Sequence, residues 1–317
     1  MSVTISVVVP LYNEEEVIAE SYRRLKEVMD GTGEEYELIF VNDGSRDQTW
    51  HLACALAESD PRLRLIGFSR NFGHQTAITA GMDAACGQAV VVIDADLQDP
   101  PEVIPAMIAK WREGFQVVYG LRTKRKGESF FKKITAKLFY RLLNSLTDVD
   151  LPVDTGDFRL IDRAVCDALK ALPERNRYVR GLVSWVGFKQ TAVEYVRDER
   201  FAGVTKYPLR KMLRLAGDGL TSFSYKPLKL SIFIGSLVSV ASFIYAIVIV
   251  CQRLFTDVLV SGWATLACLT LFFNGVILIM MGIIGQYIGR IYDETKGRPL
   301  YIVAERVNFE GDRDKNA

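Results

Sequence analysis

Two long stretches without a charged side chain constrain the architecture of this chain more than any other feature. Leu230–Cys251 contains 22 consecutive uncharged residues, and Gly262–Gly289 contains 28. At ~1.5 Å rise per residue, a helix over either stretch exceeds the ~30 Å hydrocarbon core of a bilayer. Because only Gln252–Ser261 separates them, we predict a hairpin of two membrane-spanning helices, at about 230–251 and 264–287. A pair of buried core helices is the alternative.

The residues around this hairpin predict its orientation. Basic side chains lie on the side of both termini, whereas the tip carries only Arg253 beside Asp257. Cytoplasmic flanks of membrane helices are rich in Lys and Arg, so we expect both termini in the cytoplasm and a multi-pass protein of the cell inner membrane. No basic n-region precedes the first strand, which predicts no cleavable signal peptide. The flanking basic residues are Lys226, Lys229, Arg290, Lys296 and Arg298.

The overall composition argues against several classes of protein. The 39 basic and 38 acidic residues nearly balance, so the chain has no global nucleic-acid signature. Its five cysteines show no paired spacing and no C-x-x-C motif, which indicates a reduced compartment and no zinc site. The first strand is not followed by G-x-G-x-x-G, and no P-loop motif occurs, so dinucleotide and P-loop binding are disfavoured.

The first 120 residues alternate apolar strands with helical segments. This alternation, with short connections, predicts an α/β domain whose mainly parallel sheet carries helices on both faces. A further short strand is expected after the hairpin, at Arg298–Val303. The expected strands are Thr4–Val9, Glu37–Val41, Leu63–Phe68, Ala89–Ile93 and Gln116–Tyr119, and the expected helices are Glu14–Met29, Gln48–Glu58, Gln75–Ala85 and Glu102–Trp111.

Acidic residues follow the fourth of these strands. Four apolar residues, Val90–Ile93, suit a buried parallel strand, and open α/β sheets bind ligands at the carboxyl ends of their strands. Asp94 and Asp96 are two residues apart on an extended chain, so both can face one Mg²⁺ or Mn²⁺ shared with substrate phosphates. The alternative is a helix cap, since Asp99–Glu102 has the spacing of a capping box, but this leaves Asp94 and Asp96 unexplained.

Polar clusters also follow the first three strands. Asn13 could cap the next helix, with Glu14 complementing its dipole, and Ser45–Gln48 could form a second capping box. Asp43 projects from a strand end and is expected to be free to accept a hydrogen bond from a base. Arg70 could contact a diphosphate, although a lone Arg is usually a solvated charge. His74 follows a Gly at a helix start, where packing or capping is at least as good an interpretation as catalysis.

Two segments have the pattern of amphipathic helices at a membrane surface. Arg122–Asn144 holds eight Lys or Arg against one Glu, and apolar and basic residues recur in it every four positions. Leu209–Leu220 likewise separates apolar residues from basic ones. Such helices lie in the interface of an anionic leaflet, and an ordinary surface helix is the alternative.

Several motifs together resemble glycosyltransferase family 2, and within it the polyprenyl-phosphate glycosyltransferases such as bacterial undecaprenyl-phosphate glucosyltransferases and dolichyl-phosphate mannose synthases. With the hairpin, the resemblance covers essentially the whole chain. It implies a GT-A nucleotide-sugar-binding domain with interfacial amphipathic helices over 1–225, two transmembrane helices over 226–290 and a cytoplasmic tail over 291–317. The motifs are Val9–Glu14, Asn42–Ser45, Arg70–Gly73, Asp94–Glu102, Gly156–Leu160 and Arg200–Tyr207.

The resemblance also implies roles for individual residues. Pro10, Tyr12, Asn13, Glu14 and Asp43 would hold the nucleoside, Arg70 would contact the diphosphate, and Asp94 would face the ribose and metal region. Asp94, Asp96 and Gln98 would bind the metal with the diphosphate. Arg122, Arg200 and Lys206 would contact phosphates of donor or acceptor, and Asp157 stands where the family has a catalytic-site carboxylate, a candidate base.

The implied reaction is a metal-dependent, inverting transfer of a hexose, foremost glucose from UDP-glucose, to undecaprenyl phosphate. An aminoarabinose or mannose donor is an alternative, as is a non-catalytic membrane scaffold. A processive synthase is disfavoured because Q-x-x-R-W is absent, and a nucleotidyltransferase because no Gly-rich basic loop follows the first strand. In some relatives the segment after the hairpin pairs with a neighbouring subunit, which suggests a homo-oligomer such as a tetramer.

Overall fold

The computed structural model describes residues 3–123, 155–172, 174–175, 177–197, 226–255 and 262–309. These residues fall into two compact units. The first holds 3–123, the described residues between 155 and 197, and 298–309, and the second holds 226–255 and 262–297. Residues 124–144 of the first amphipathic segment, the whole of the second, Arg200 and Lys206 lie outside the described residues. The predictions made for these segments and for Arg200 and Lys206 stay predictions.

The first unit contains an eight-stranded sheet with the order β7-β5-β6-β4-β1-β2-β3-β8. β1 to β4 are parallel to one another, and β5 is parallel to β7. β6 runs antiparallel to β4 and β5, and β8 runs antiparallel to β3. The prediction of a mainly parallel sheet is confirmed. The strands are β1 Ile5–Leu11, β2 Tyr36–Asn42, β3 Leu63–Phe68, β4 Ala89–Val92, β5 Val117–Arg122, β6 Thr155–Asp162, β7 Gln190–Tyr195 and β8 Val303–Val307.

Helices connect most of these strands. Every residue of β1 and β2 is buried, because right-handed crossovers cover a parallel sheet on both faces. Gly81 in α3 lies so close to β1 that an added Cβ would come within 2.2 Å of Val8. The helices are α1 Ile18–Thr32, α2 Thr49–Ser59, α3 His74–Ala84, a 3-10 turn Pro101–Val103, α4 Ile104–Arg112, α5 Arg163–Ala171 and α6 Val179–Trp185.

The five strands expected in the first 120 residues are present with ends shifted by at most three residues. The strand expected at Arg298–Val303 instead occupies Val303–Val307, and it pairs with β3 of the same chain. β6 and β7 were not among the expected strands. β6 inserts antiparallel between β4 and β5, which are therefore not neighbours in the sheet.

The second unit consists of two long helices, α7 Lys226–Phe255 and α8 Trp263–Thr295. Within α8, Phe272–Thr295 is long and apolar enough to cross a membrane, and its most apolar window is not buried inside the protein. In the described part of α7 only the shorter stretch Gly235–Tyr245 is apolar by the same measure. One membrane span is thus supported, and the second span of the predicted hairpin stays a prediction.

Candidate active site

The loops that follow β1 and β2 bind each other at the carboxyl edge of the sheet. The backbone N–H of Asn13 donates to Ser45 Oγ at 3.0 Å, and Asn13 Oδ1 accepts from the N–H of Arg46 at 2.9 Å. The N–H of Glu14 donates to Thr49 Oγ1 at 2.8 Å. Asn13 adopts a left-handed φ of 54°, which Asn tolerates better than most residues. The two loops therefore form one hydrogen-bonded surface at this edge.

Asp43 fastens this surface to the loop after β3. Its buried carboxylate accepts hydrogen bonds from the backbone N–H of Phe72 at 2.6 Å and of Gly73 at 3.0 Å. Gly44 has φ 65°, and a Cβ there would lie 2.4 Å from the backbone carbon of Arg70. Burial raises the pKa of Asp43, and the two backbone N–H groups oppose that rise. Asp43 therefore holds the third loop, and its predicted hydrogen bond to a base stays a prediction.

The loop after β4 contains the predicted metal ligands. Leu97 has a left-handed φ of 57°, and the N–H of Gln98 donates to Asp96 Oδ1 at 3.2 Å. Asp94 Oδ1 is buried and accepts no hydrogen bond from any described residue, while His74 Nε2 lies 3.4 Å away. Burial raises the pKa of Asp94 to about 6; His74 opposes the rise and the neighbouring carboxylates add to it. A buried carboxylate oxygen without a hydrogen bond is costly, and His74 offsets this cost only in part because Asp157 shares it. A metal cation bound beside Asp94 would offset the remainder.

The donor set of this loop fits a divalent cation. Asp94 and Asp96 supply hard carboxylate oxygens, which Mg²⁺ and Mn²⁺ prefer. Among the residues that the structure describes, no group of three or more His, Cys, Asp or Glu side chains is arranged to hold a metal by itself. A cation bound here would therefore share its coordination with substrate phosphates, as Mg²⁺ commonly does.

Asp157, on β6, contacts three polar side chains of the site. Arg180 on α6 donates to it through Nε at 2.7 Å and Nη2 at 2.9 Å. His74 Nε2 and Gln75 Nε2, at the start of α3, lie 3.2 and 3.3 Å from its Oδ2. Burial would raise the pKa of Asp157, but the charge and hydrogen bonds of Arg180, with those of His74, hold the pKa well below its usual range. Such a carboxylate is a weak base, so this pairing favours an anchoring role, and the catalytic base at Asp157 stays a prediction.

His74 joins the carboxylates of β4 and β6. Its Nε2 lies between Asp157 Oδ2 and Asp94 Oδ1. Burial would lower the pKa of His74, but the hydrogen bond to Asp157 and the two negative charges raise it to about 9. The raised pKa favours the protonated form near neutral pH. α3 has no side-chain cap, so the capping interpretation of His74 is wrong, whereas a structural role that links the two carboxylates agrees with the contacts. The Gly73-His74 pair at a helix start was the only signal for it, and none in the sequence singled out Arg180.

A second buried network surrounds Asp99. Its fully buried carboxylate accepts from the hydroxyl of Tyr195 at 2.5 Å and from Arg122 Nη2 at 3.1 Å, and Arg197 Nε lies 3.4 Å away. Arg122 Nε also donates to the Tyr195 hydroxyl at 3.0 Å. A Cβ at Gly156 would lie 2.3 Å from Arg122 Nη2, so a side chain there would displace the guanidinium from its present position. Arg122, expected to contact a phosphate, is held here by Asp99.

Three capping predictions are wrong. Asn13 bonds to the loop after β2, and α1 begins without a side-chain cap. Ser45–Gln48 forms no capping box, since Ser45 Oγ accepts from the loop after β1 and α2 lacks a side-chain cap. Asp99 belongs to the buried network, and Glu102 pairs with Arg24 of α1 at 2.7 Å. In each case a tertiary partner replaced the local one.

The remaining predicted residues lie around the same edge. Pro10 is buried in β1 opposite Val41 of β2. Tyr12 is exposed, at 37%. Arg70 is exposed as well, and its guanidinium carbon lies 4.0 Å from the centroid of the Phe72 ring. Tyr12 and Arg70 are thus accessible to a ligand.

Comparison with known proteins gives concordant results. The sequence profile described as Glycosyl transferase family 2 matches residues 6–170. The uncharacterized glycosyltransferase YkcC of Bacillus subtilis is 62% identical, over 97% of this chain and 95% of that protein. The SfII prophage-derived bactoprenol glucosyl transferase of Shigella flexneri is 44% identical, over 94% of this chain and 97% of that protein. Glucosyl-3-phosphoglycerate synthase from Mycobacterium tuberculosis, solved with uridine diphosphate, is 25% identical with a TM-score of 0.49, over 69% of this chain and 79% of that one.

Proposed function

Because the chain belongs to glycosyltransferase family 2, we propose that it transfers glucose from UDP-glucose to undecaprenyl phosphate at the cytoplasmic face of the membrane, releasing UDP. The observation that carries this proposal is the acidic loop after β4, where Asp94 keeps a buried, unbonded carboxylate oxygen at the carboxyl edge of the sheet. The choice of glucose and of a polyprenyl phosphate rests on the similarity to bactoprenol glucosyl transferases.

The donor would bind across the loops after β1, β2 and β4. In this proposal Pro10, Tyr12, Asn13 and Glu14 line the nucleoside end, where the paired loops present one surface. Asp43 acts there mainly by holding the loop that carries Arg70, the residue proposed to contact the diphosphate.

The diphosphate would lie at the acidic loop. Asp94, Asp96 and Gln98 would hold Mg²⁺ or Mn²⁺ together with the diphosphate oxygens. When bound, the cation neutralises charge that develops on the departing UDP. His74, fixed between Asp94 and Asp157, keeps the loop after β4 in register with β6.

The acceptor supplies its own nucleophile. A phosphate monoester has a second pKa near ~6, so it is mostly a dianion at pH 7 and needs no strong base. Its oxygen would attack the anomeric carbon while the bond from that carbon to the UDP oxygen breaks, which inverts the configuration. Arg200 and Lys206 would bind the acceptor phosphate, and Arg122 would add positive potential nearby. Asp157 would serve as a positioning residue for His74 and Arg180.

The membrane part of the proposal follows from the acceptor. A long isoprenoid stays in the bilayer, so the active site must work at its surface. The span in α8, a second span in α7 and the two basic amphipathic segments would anchor the enzyme there, with both termini cytoplasmic. Assembly as a homo-oligomer such as a tetramer belongs to the same proposal.

The test is transfer of radiolabel from a panel of UDP- and GDP-sugars to undecaprenyl phosphate, with Mg²⁺ or Mn²⁺ and purified protein. Label entering the organic phase from UDP-glucose alone is the expected result. Label from an aminoarabinose or mannose donor would keep the mechanism and replace the sugar, whereas no transfer from any donor would favour a non-catalytic scaffold.

Paired variants make this test specific for the acidic loop. Asp96→Ala should abolish transfer while membrane insertion is retained, because the cation loses a ligand. Asp167→Ala removes a carboxylate from the surface of α5, where 63% of the side chain is exposed, and should leave transfer unchanged. Undiminished activity in Asp96→Ala would remove the metal assignment.

A further inference from the structure

The C-terminal segment, residues 298–309, is built into the sheet of the first unit. β8 pairs antiparallel with β3 as its edge strand. Asn308 Nδ2 donates to the carbonyls of Ala57 at 2.9 Å and Leu63 at 2.8 Å, which fixes the end of the segment. Its beginning is fixed at the other end of β3, where the N–H of Ser69 donates to the carbonyl of Ile302 at 3.1 Å.

Tyr301 stands where this segment meets the loop 69–73. Its ring stacks on Phe68, the last residue of β3, with centroids 5.1 Å apart and planes at 19°. Phe68 in turn makes an edge contact with Phe72, at 5.7 Å and 88°. The Tyr301 hydroxyl also lies 3.4 Å from Asp83 of α3, the helix that follows the loop. Tyr301 therefore contacts the elements on both sides of the loop.

The loop 69–73 is the one that Asp43 holds. The rings of Tyr301, Phe68 and Phe72 form a ring series, in which each ring contacts the next. Phe72, at the loop end of this series, donates its backbone N–H to Asp43, as does Gly73. Arg70 packs over the same Phe72 ring. The position of Phe72 thus affects two features of the loop: the hydrogen bonds from its backbone N–H groups to Asp43, and the position of the Arg70 guanidinium.

We propose that Tyr301 is a positioning residue for nucleotide binding: through Phe68 and Phe72 its ring fixes the loop that carries Arg70. This inference rests on the proposed function, since it takes the loop to face the nucleotide diphosphate. It assigns a role in the active site to a residue that follows the last membrane helix in sequence. A tail that merely closed the sheet edge would stabilise the protein without affecting the loop.

The experiment compares Tyr301→Leu with Tyr301→Phe in the full-length protein in detergent. Hydrogen exchange of the peptide covering residues 69–74 reports on the loop, and calorimetric titration with UDP reports on nucleotide binding. We expect faster exchange and roughly threefold to tenfold weaker UDP binding in Tyr301→Leu, since an aromatic pair contributes on the order of 1 kcal/mol. Tyr301→Phe should resemble wild type because it keeps the ring, and the hydroxyl contact is long.

A matched control lies on the same strand. Glu305 accepts a hydrogen bond from Trp50 Nε1 at 3.1 Å, on α2 and away from the loop. Glu305→Gln perturbs β8 without touching the ring series, so its exchange at 69–74 and its UDP affinity should match wild type. If Tyr301→Leu does not fold, Phe72→Leu interrupts the same series from the loop side and should give the same two effects.

The outcomes separate this inference from the proposed function. Wild-type exchange at 69–74 in folded Tyr301→Leu would overturn the inference, as would equal effects of Tyr301→Leu and Glu305→Gln. Faster exchange with unchanged UDP affinity would also overturn it, because the loop would then not serve nucleotide binding. A wild-type protein that binds no UDP and transfers no sugar would instead refute the proposed function, while the exchange result would still show whether Tyr301 holds the loop.

Discussion

Replacing Arg180 tests whether Asp157 is an anchor or a base. In Arg180→Gln the Asp157 carboxylate, 6% exposed, loses two hydrogen bonds and its strongest cation. Removing one partner of a fully buried ion pair costs about 3–5 kcal/mol. Because 31% of the Arg180 side chain is exposed, water screens this pair in part, and we expect about 2–3 kcal/mol. At roughly 2–4 °C per kcal/mol for a domain of this size, the melting temperature should fall by roughly 4–12 °C.

A double-mutant cycle sharpens the prediction. Asp157→Asn should destabilise less than Arg180→Gln, since the freed guanidinium can turn toward water whereas the freed carboxylate cannot. The double variant should melt above Arg180→Gln, because no anion is then left unpaired. Lys110→Gln breaks an exposed pair with Glu113 and serves as the surface control, with an effect below about 1 kcal/mol. A wild-type melting temperature in Arg180→Gln, or strictly additive effects in the double variant, would refute the anchoring role.

The pH dependence of transfer distinguishes the two roles of Asp157 directly. Loss of Arg180 raises the pKa of Asp157, so a catalytic base there would move the acidic limb of kcat/KM to higher pH. If the acceptor phosphate is its own nucleophile, that limb follows its second ionisation near ~6 and stays in place. We expect the same limb in wild type and Arg180→Gln, measured over pH 5–8 with saturating metal. A shift in the variant alone would restore the base assignment.

Other perturbations give equally specific expectations. Tyr195→Phe removes a donor to fully buried Asp99 and should cost about 1–3 kcal/mol in thermal unfolding; an unchanged melting temperature would contradict the network. Gly44→Ala forces a side chain against the loop after β3 at φ 65° and should weaken UDP binding in a calorimetric titration. Burial opposes ionisation of Asp60, but its hydrogen-bond donors lower its pKa to about 2. The ionised carboxylate therefore stabilises the folded protein by about 2 kcal/mol above pH 4, and this stability should be lost as the pH falls toward 2. Asp60→Asn should lose less stability over the same pH range. Lys206→Ala should raise KM for the lipid phosphate more than it weakens UDP binding; an equal loss of both would mean that Lys206 contacts the donor.

Local patterns were sufficient wherever one segment carried the whole signal. Val90–Ile93 is a short run of branched apolar residues, and β4 begins one residue before it and ends at Val92, fully buried. From that end, the chain direction alone puts Asp94 and Asp96 at the carboxyl edge of the sheet. The uncharged stretch in α8 was recognised for the same reason, since length and composition are properties of the segment itself.

Partner choice could not be predicted in this way. Arg180 lies 23 residues from Asp157 in sequence and His74 lies 83 away, and no spacing encodes that these three side chains meet. The predicted capping boxes were wrong for the same reason. Asp99 and Ser45 matched a local pattern, but in the structure they accept hydrogen bonds from residues far away in the sequence. β6 and β7 were missed because their place in the sheet depends on which strands they border.

The sequence by itself determined the order of strands and helices in the first 120 residues, the acidic loop at a strand end and the apolar length of α8, since hydrophobic periodicity and chain direction act within a segment. Only the tertiary structure decided that Asp157 pairs with Arg180, that His74 joins two carboxylates and that the C-terminal segment closes the sheet beside the loop 69–73. These properties depend on burial and on short distances between residues far apart in the chain, and a buried charge takes whichever partner the fold brings within hydrogen-bonding reach.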